Sequence, residues 1–539
     1  MIGQYAKDIK KEFSEYDSHS LSCDIVAAVQ VAALSFPLSL AYGMSTGLGV
    51  LSGILSALIA GIIIAFFSGT RLQISAPTGA MCAILITISS QYGIKGILFS
   101  GLLSGIILIL ASLFHIGRLI SFIPSPVFTG FTSGIALVFA IGQIDNFFGT
   151  HSTGTNIIEK FMSYGHLGFS PNLIAMMFGF LTIAIMMFWP KSFKNTVPSA
   201  LGAIAAALLI NLIFNMDVPE VGYITRGFFA KNALSFSDIS FQSIVPYFFP
   251  ALSIAALCLM QSSVGGAYLA KKTEEKFRQE RELIAQGIGN LILPFFGAVP
   301  VTADFSYSRI NLQSGAKTRL SSMFQAIFLF VIFLALSPVL SHIPLSALAG
   351  VLVVTAFRMN DWKSIRFIFK KRFATSMVQF FVTMLLTVFV DLTFAIVIGI
   401  VVSIFIFVAR NCDLKVEISD VDTGRLHDVE LANDYTQTKL VYLTGPLFFG
   451  TQDRLLRALS SLDNTSHVIL SMRGVPSMDQ SAVYVLEDIL EDYESRNIHL
   501  MCCGVQPVVK TVLDRSELTD KIGENNFFWD AIAAIKTLK

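Results

Sequence analysis

The chain has 539 residues, of which 54% are apolar and 14% charged, and its formal net charge is +1 at pH 7. So much apolar surface makes a bilayer the natural solvent, and a charge this close to zero gives no sign of nucleic acid as a partner. The cysteines (Cys23, Cys82, Cys258, Cys412, Cys502 and Cys503) form no metal-ligand spacing and read as buried thiols.

The first 23 residues are polar and charged, carry no cleavable signal peptide and are expected to form a cytoplasmic segment, 1–23. From residue 24 to about 410, apolar runs follow one another, each able to span or half span a bilayer. They fall near 24–43, 50–68, 78–92, 95–114, 127–145, 171–189, 197–215, 244–270, 283–298, 304–313, 320–338, 344–357, 374–390 and 392–409. That is about fourteen segments, seven per copy of a duplicated unit. The duplication is visible in the residues. Ile123-Pro124 leads to Gly130 as Ile343-Pro344 leads to Gly350, and Ala76-Pro77-Thr78 is matched by Val299-Pro300-Val301-Thr302. Both matches fall at an offset of about 220 residues, which sets repeats near 24–215 and 244–410. Membrane proteins built this way place a substrate site where the copies meet.

Lys and Arg set the expected orientation. With the N-terminus inside, the inner loops hold about 21 of them and the outer loops about four, Lys95, Lys160, Arg226 and Lys231. The inner set includes Lys271, Lys272, Lys276, Arg278, Arg281 and the run Lys370-Lys371-Arg372. The bias places the N-terminus in the cytoplasm, and an even number of spans returns the C-terminus there.

Two segments read as broken. One runs through Ser75-Ala76-Pro77-Thr78-Gly79-Ala80 and the other through Val299-Pro300-Val301-Thr302-Ala303-Asp304-Phe305-Ser306. Each is a short extended stretch, then Pro, Thr, Gly or Ala, then a short apolar helix. A helix that starts in mid-membrane presents unpaired N–H groups and the positive end of its dipole. Two such ends facing each other would hold an anion with no basic side chain. Two ordinary Pro-kinked helices are the alternative.

After Arg410 the character changes. Residues 411–437 read as a polar linker, and 438–539 as a small sheet covered by helices. Strands are expected at Leu440–Phe449, His467–Met472 and Ile498–Val505. Helices are expected at Asp453–Leu462 and Asp479–Tyr493, with another starting at Pro507.

Read together, these pieces resemble the SulP family of anion transporters. The matching text is Pro37-Leu38-Ser39-Leu40-Ala41-Tyr42, Ser75-Ala76-Pro77-Thr78-Gly79-Ala80, Glu282-Leu283-Ile284-Ala285-Gln286-Gly287-Ile288-Gly289-Asn290, Ser314-Gly315-Ala316-Lys317-Thr318 and Asp391-Leu392. The C-terminal part looks like a STAS domain, with Val468-Ile469-Leu470 and Met478-Asp479-Gln480-Ser481. The resemblance implies an α-helical polytopic 7+7 inverted repeat with uracil-permease-like core and gate domains, followed by a cytoplasmic α/β STAS domain. It also implies a homodimer in the plasma (bacterial inner) membrane and an elevator motion of a core made of spans 1–4 and 8–11. The chain departs from the family pattern at Leu38, where Gln is usual, at Gln261, where Glu is usual, and at Tyr307, where Arg is usual. Arg309 follows two residues on, about 200° around a helix from Tyr307.

The site expected from these readings has Tyr42, Thr78, Gly79, Ala80, Gln261, Phe305, Ser306 and Tyr307 around the anion. Asp304 and Thr302 are the candidates for a coupling proton or sodium ion, Asp304 standing in for the carboxylate missing at Gln261. Simple capping of its half-helix is the rival role for Asp304. His115 and Arg118 read as an inner-interface pair, Asp145 and Asp391 as solvated outer ends, Asp24 as a carboxylate at the start of the first span, and Ser481 as a helix start or a phosphorylation site. No Walker loop and no nucleophile–base–orienter set is present, so neither direct ATP drive nor an enzyme is expected, and no cofactor or structural metal. The leading expectation is secondary active transport of a small anion such as sulfate or bicarbonate, by symport with a proton or sodium ion. An uncoupled channel or voltage-responsive motor, or an anion sensor signalling through the STAS domain, are the rivals.

Overall fold

The computed structural model describes residues 2–117, 124–153, 157–190, 197–224, 227, 229–230, 232–238, 245–390, 392–411, 414–421, 435–462 and 464–538. Arg118, Ile123, Arg226, Lys231, Asp391 and Cys412 lie outside them. The chain divides into two compact units, Met1–Ile400 and Val401–Lys539.

The first unit is helical. An amphipathic helix, α1 (Ile2–Glu12), precedes α2 (Ser18–Ser45) and α3 (Val50–Phe67). A short strand, β1 (Ile74–Ala76), leads into α4 (Gly79–Leu113), which is interrupted at Gly93 by a left-handed φ of 69° that favours glycine. The half before Gly93 is too short to span, and the half after it is the next span. Then come α5 (Ser125–Gly142), α6 (Ile144–Phe148), α7 (Ile157–Leu167), α8 (Leu173–Met187) and α9 (Ser199–Phe214). The second repeat opens with α10 (Phe248–Thr273) and α11 (Gln279–Ile292), then β2 (Thr302–Asp304) and a short α12 (Phe305–Gln313). It ends with α13 (Leu320–Leu340), α14 (Leu345–Met359), α15 (Trp362–Lys370), α16 (Ala374–Phe389) and α17 (Leu392–Asn411). Six of the helical segments among the described residues are long and apolar enough to cross a bilayer alone.

The repeats interlock at their broken spans. β1 and β2 pair antiparallel, with Ile74 opposite Asp304, Ser75 opposite Ala303 and Ala76 opposite Thr302. Around this ribbon α2, α3, α4, α10, α11 and α13 pack on one another, whereas α5, α8, α9, α14 and α16 form a second group. Close crossings depend on small residues. A Cβ on Gly105 would sit 2.6 Å from the Gly287 carbonyl oxygen, and one on Gly287 would sit 2.8 Å from the Gly105 carbonyl oxygen.

Three readings need correction. Asp24 does not begin its helix: α2 starts earlier, at Ser18, where the Asp17 side chain accepts from Ser20 N–H. Asp24 is fully buried one and a half turns on and accepts from Lys317 N–H (2.7 Å), Thr318 N–H (3.1 Å) and the Thr318 hydroxyl (2.5 Å), holding the turn before α13. Asp145 is not simply solvated: it is half-buried and accepts from Tyr164 (2.8 Å), Ser152 (2.5 Å) and Thr150 (3.3 Å). Cys23 is only half-buried, whereas Cys82, Cys258, Cys502 and Cys503 are buried thiols.

The second unit holds a five-stranded sheet in the order β3 (Lys415–Asp420), β4 (Thr438–Thr444), β5 (His467–Gly474), β6 (His499–Cys503), β7 (Phe527–Phe528). β3 runs antiparallel to β4 and every other pairing is parallel. Part of the expected linker is therefore the sheet's edge strand. Its polar residues fit an edge, where one side of the backbone stays in water. Helices α18 (Gln452–Ser460), α19 (Gln480–Ser495) and α20 (Pro507–Arg515) cover a core that includes Leu455, Leu486, Leu490 and Leu513. A terminal helix, α21 (Ala531–Thr537), belongs to a smaller core with Leu440, Ile469 and Met501. Ser481 sits in the first turn of α19, whose cap is Asp479 accepting from Ala482 N–H.

Candidate anion site between the broken spans

The ribbon fixes two helix starts. α4 begins just past β1, with Thr78 as its cap accepting from Met81 N–H at 3.1 Å. α12 begins just past β2, with Asp304 as its cap accepting from Tyr307 N–H at 2.8 Å. Pro77 and Pro300 lie in extended backbone beside the strands, not inside helices. Each helix therefore starts afresh beside the ribbon, and the first-turn N–H groups that its cap does not take have no partner within the helix.

A polar row on α11 holds this unusual backbone in place. Glu282, Gln286 and Asn290 lie four residues apart on one face, and all three are fully buried. Glu282 accepts from the Ser68 hydroxyl (2.5 Å) and Gly69 N–H (2.9 Å). Gln286 donates to Ser75 Oγ at 2.7 Å. Asn290 accepts from Val301 N–H (2.8 Å) and donates to the Val301 carbonyl (2.9 Å). Extended chain inside a membrane protein needs such partners, because lipid supplies none. The Ser308 hydroxyl accepts from Ile74 N–H at 2.9 Å, and Asn311 donates to the Leu72 carbonyl at 3.1 Å, so α12 also braces the strand of the other repeat.

The expected site residues divide into two sets. Tyr42, Gly79, Asp304 and Tyr307 come together: the Tyr42 hydroxyl faces Gly79 N–H, and both tyrosines lie within electrostatic reach of Asp304 and of each other. Ala80 is buried in the same first turn of α4. The Thr78 hydroxyl approaches Gln261 Oε1 at 3.4 Å, so Gln261 borders the α4 cap. Phe305 points elsewhere, against Tyr268 with ring centroids 4.8 Å apart, and Ser306 is exposed. Thr302 is buried with its side chain beside the Cys258 thiol. Arg309 is exposed, on the side of α12 away from buried Tyr307. Phe139 and Met359, from the second helix group, also reach Gly79, and sequence reading missed both: single apolar residues in apolar spans give no signal.

Comparisons with known proteins bear on the family and the fold. A family model described as "Sulfate permease family" matches residues 21–386, and one described as "STAS domain" matches residues 432–532. The chain is 29% identical to a putative sulfate transporter, YvdB, of Bacillus subtilis, covering 96% of this chain and 97% of that one. It is 26% identical to the bicarbonate transporter BicA of Picosynechococcus, covering 95% and 94%. The structure of the murine Slc26a9 anion transporter in the inward-facing state superposes with a TM-score of 0.83 at 15% identity, covering 97% of this chain and 92% of that one.

Proposed function

The chain belongs to the sulfate permease family of anion transporters, and from that premise we propose that it is a secondary active transporter whose anion site lies between the α4 and α12 helix starts. One observation carries the proposal. The inter-repeat ribbon brings together two helix N-termini, one capped by a neutral side chain and the other by a carboxylate.

The charge balance suggests coupling. Each helix start presents roughly half a positive charge. Two together amount to about one charge, which an ionised Asp304 cancels. With the carboxylate charged, the site has little left for an anion. A proton on Asp304, or a sodium ion against it, restores the attraction, so the cation and the anion bind together. Tyr42 and Tyr307 offer hydroxyls to the anion, and Gln261 and Thr78 offer neutral polar groups. Thr302, on the same strand as Asp304, is the further candidate for the coupling ion. Transport proceeds by an elevator motion of the first helix group against the second, in a homodimer with both termini in the cytoplasm and the STAS domain in a regulatory role.

Purified protein in liposomes tests this, with a panel of labelled anions under imposed pH and sodium gradients. Uphill accumulation driven by one gradient, lost in Asp304→Asn, supports coupling at this residue. Unchanged accumulation in Asp304→Asn removes it from the mechanism. Gln261 in place of a carboxylate favours the second reading, an uncoupled conductance, which predicts anion currents independent of both cations.

A further inference from the structure

The α4 start is not faced by its own helix group alone. A Cβ placed on Gly79 would lie 2.7 Å from Met359 Sδ, 3.4 Å from the Tyr42 hydroxyl and 3.6 Å from a Phe139 ring carbon. Met359 is the last residue of α14 and Phe139 lies on α5, both in the second helix group. Arg358 pins that end of α14 by donating to the Met186 carbonyl at 2.8 Å and to the Ser199 hydroxyl at 3.4 Å. Met359 therefore comes from a fixed helix end, and its sulfur lies across the first turn of α4.

We propose that Met359 is a specificity-determining residue: its thioether, with the Phe139 ring, is the donor-free wall of the anion site and selects weakly hydrated monoanions over strongly hydrated dianions. This inference rests on the site reading above. An anion entering the site gives up water and needs donors in exchange. One side supplies N–H groups and hydroxyls. The other supplies a soft, polarisable sulfur with no hydrogen to donate, and an aromatic ring. A loosely hydrated ion such as nitrate or thiocyanate loses little against such a wall. Sulfate, hydrated all round, loses much.

The test uses full-length protein in proteoliposomes, with labelled nitrate, thiocyanate and sulfate competing under one gradient. Met359→Gln keeps the length of the side chain and adds a donor, and it should raise the sulfate-to-thiocyanate uptake ratio at least about tenfold. Met359→Leu, still donor-free, should keep the wild-type ratio. A Met359→Gln ratio within about twofold of wild type, while Asp304→Asn alters uptake, overturns this inference and leaves the site reading standing. If neither variant changes anything, the site reading falls as well. Should Met359→Gln fail to fold, Gly79→Ala and the double variant Gly79→Ala/Met359→Ala decide the question. Loss of uptake in the first and recovery in the second, with the ratio shifted toward larger anions, supports the contact; no recovery overturns it.

Discussion

Replacing Asn290 by leucine tests the claim that α11 holds the broken span in shape. Asn290 is fully buried, as is Val301, and its one amide satisfies both the N–H and the carbonyl of Val301. Leucine keeps the branched four-atom skeleton and is somewhat larger, so no cavity arises. What is lost is hydrogen bonding: the buried Val301 N–H is left unpaired, and the Val301 carbonyl keeps only the Cys258 thiol at 3.2 Å. One such orphaned group costs roughly 1–3 kcal/mol, so the variant should lose about that much. Val301 lies three residues before Asp304, so the start of α12 should shift and anion uptake should fall together with stability. Thermal unfolding of the full chain in detergent, read beside liposome uptake, checks both. Asn290→Asp retains the acceptor for Val301 N–H and should be less impaired when its carboxyl is neutral. A leucine variant that melts within about one degree of wild type and transports normally would refute the reasoning, because lipid offers the Val301 backbone no substitute for the Asn290 amide.

The Glu12–Arg319 pair is nearly fully buried, and Arg319 also donates to the carbonyls of Ala65 and Phe66 at the end of α3. Glu12→Ala strands that guanidinium and should cost about 3–5 kcal/mol, seen as faster hydrogen exchange across α1 and a lower melting temperature. Gly53→Ala places a Cβ 2.0 Å from the Ser39 carbonyl oxygen and should force α2 and α3 apart, costing about 1–3 kcal/mol or more in the same unfolding assay. Burial first, and then the stacked His499, hold the His467 imidazole below its usual 6.5. The unfolded chain therefore binds the proton more readily, and the stability of the C-terminal unit should decline as pH falls below about 6.5. His467→Asn should flatten that part of the pH profile; an unaltered profile would assign the decline to other groups.

What the sequence made legible follows from which signals are local. Long apolar runs mark spans because the bilayer demands them. Pro77 marks a broken span just ahead of the α4 start, whereas Pro300 falls before β2, five residues ahead of α12, so the two motifs do not begin their helices alike. Alternating strands and helices, also a local signal, marked the C-terminal sheet. The partners of Glu282, Gln286 and Asn290 were not legible, since Ser68 is 214 residues from Glu282 and Ser75 is 211 from Gln286. Their spacing was nevertheless a usable signal. Three polar residues at i, i+4 and i+8 on a membrane helix must each find a bond, because lipid offers none. Asp24 was misplaced because an apolar run marks where a span enters the membrane and not where its helix begins, and Asp17 starts α2 in polar text. Met359 and Phe139 were illegible altogether. Their significance lies in the group they face.

The duplicated architecture is what gives the proposed role of Asp304 its force. Thr78 and Asp304 hold comparable posts, each the cap of the helix that follows a ribbon strand and each accepting from the N–H three residues on. Duplication by itself would give two equal positive ends. The repeats differ in that one post is a neutral threonine and the other a carboxylate. A binding site requires only the shared geometry, which the backbone supplies in both copies. A transporter driven by an ion gradient requires a difference, and in the proposed mechanism that difference is one carboxylate, Asp304, whose charge would compete with the cargo.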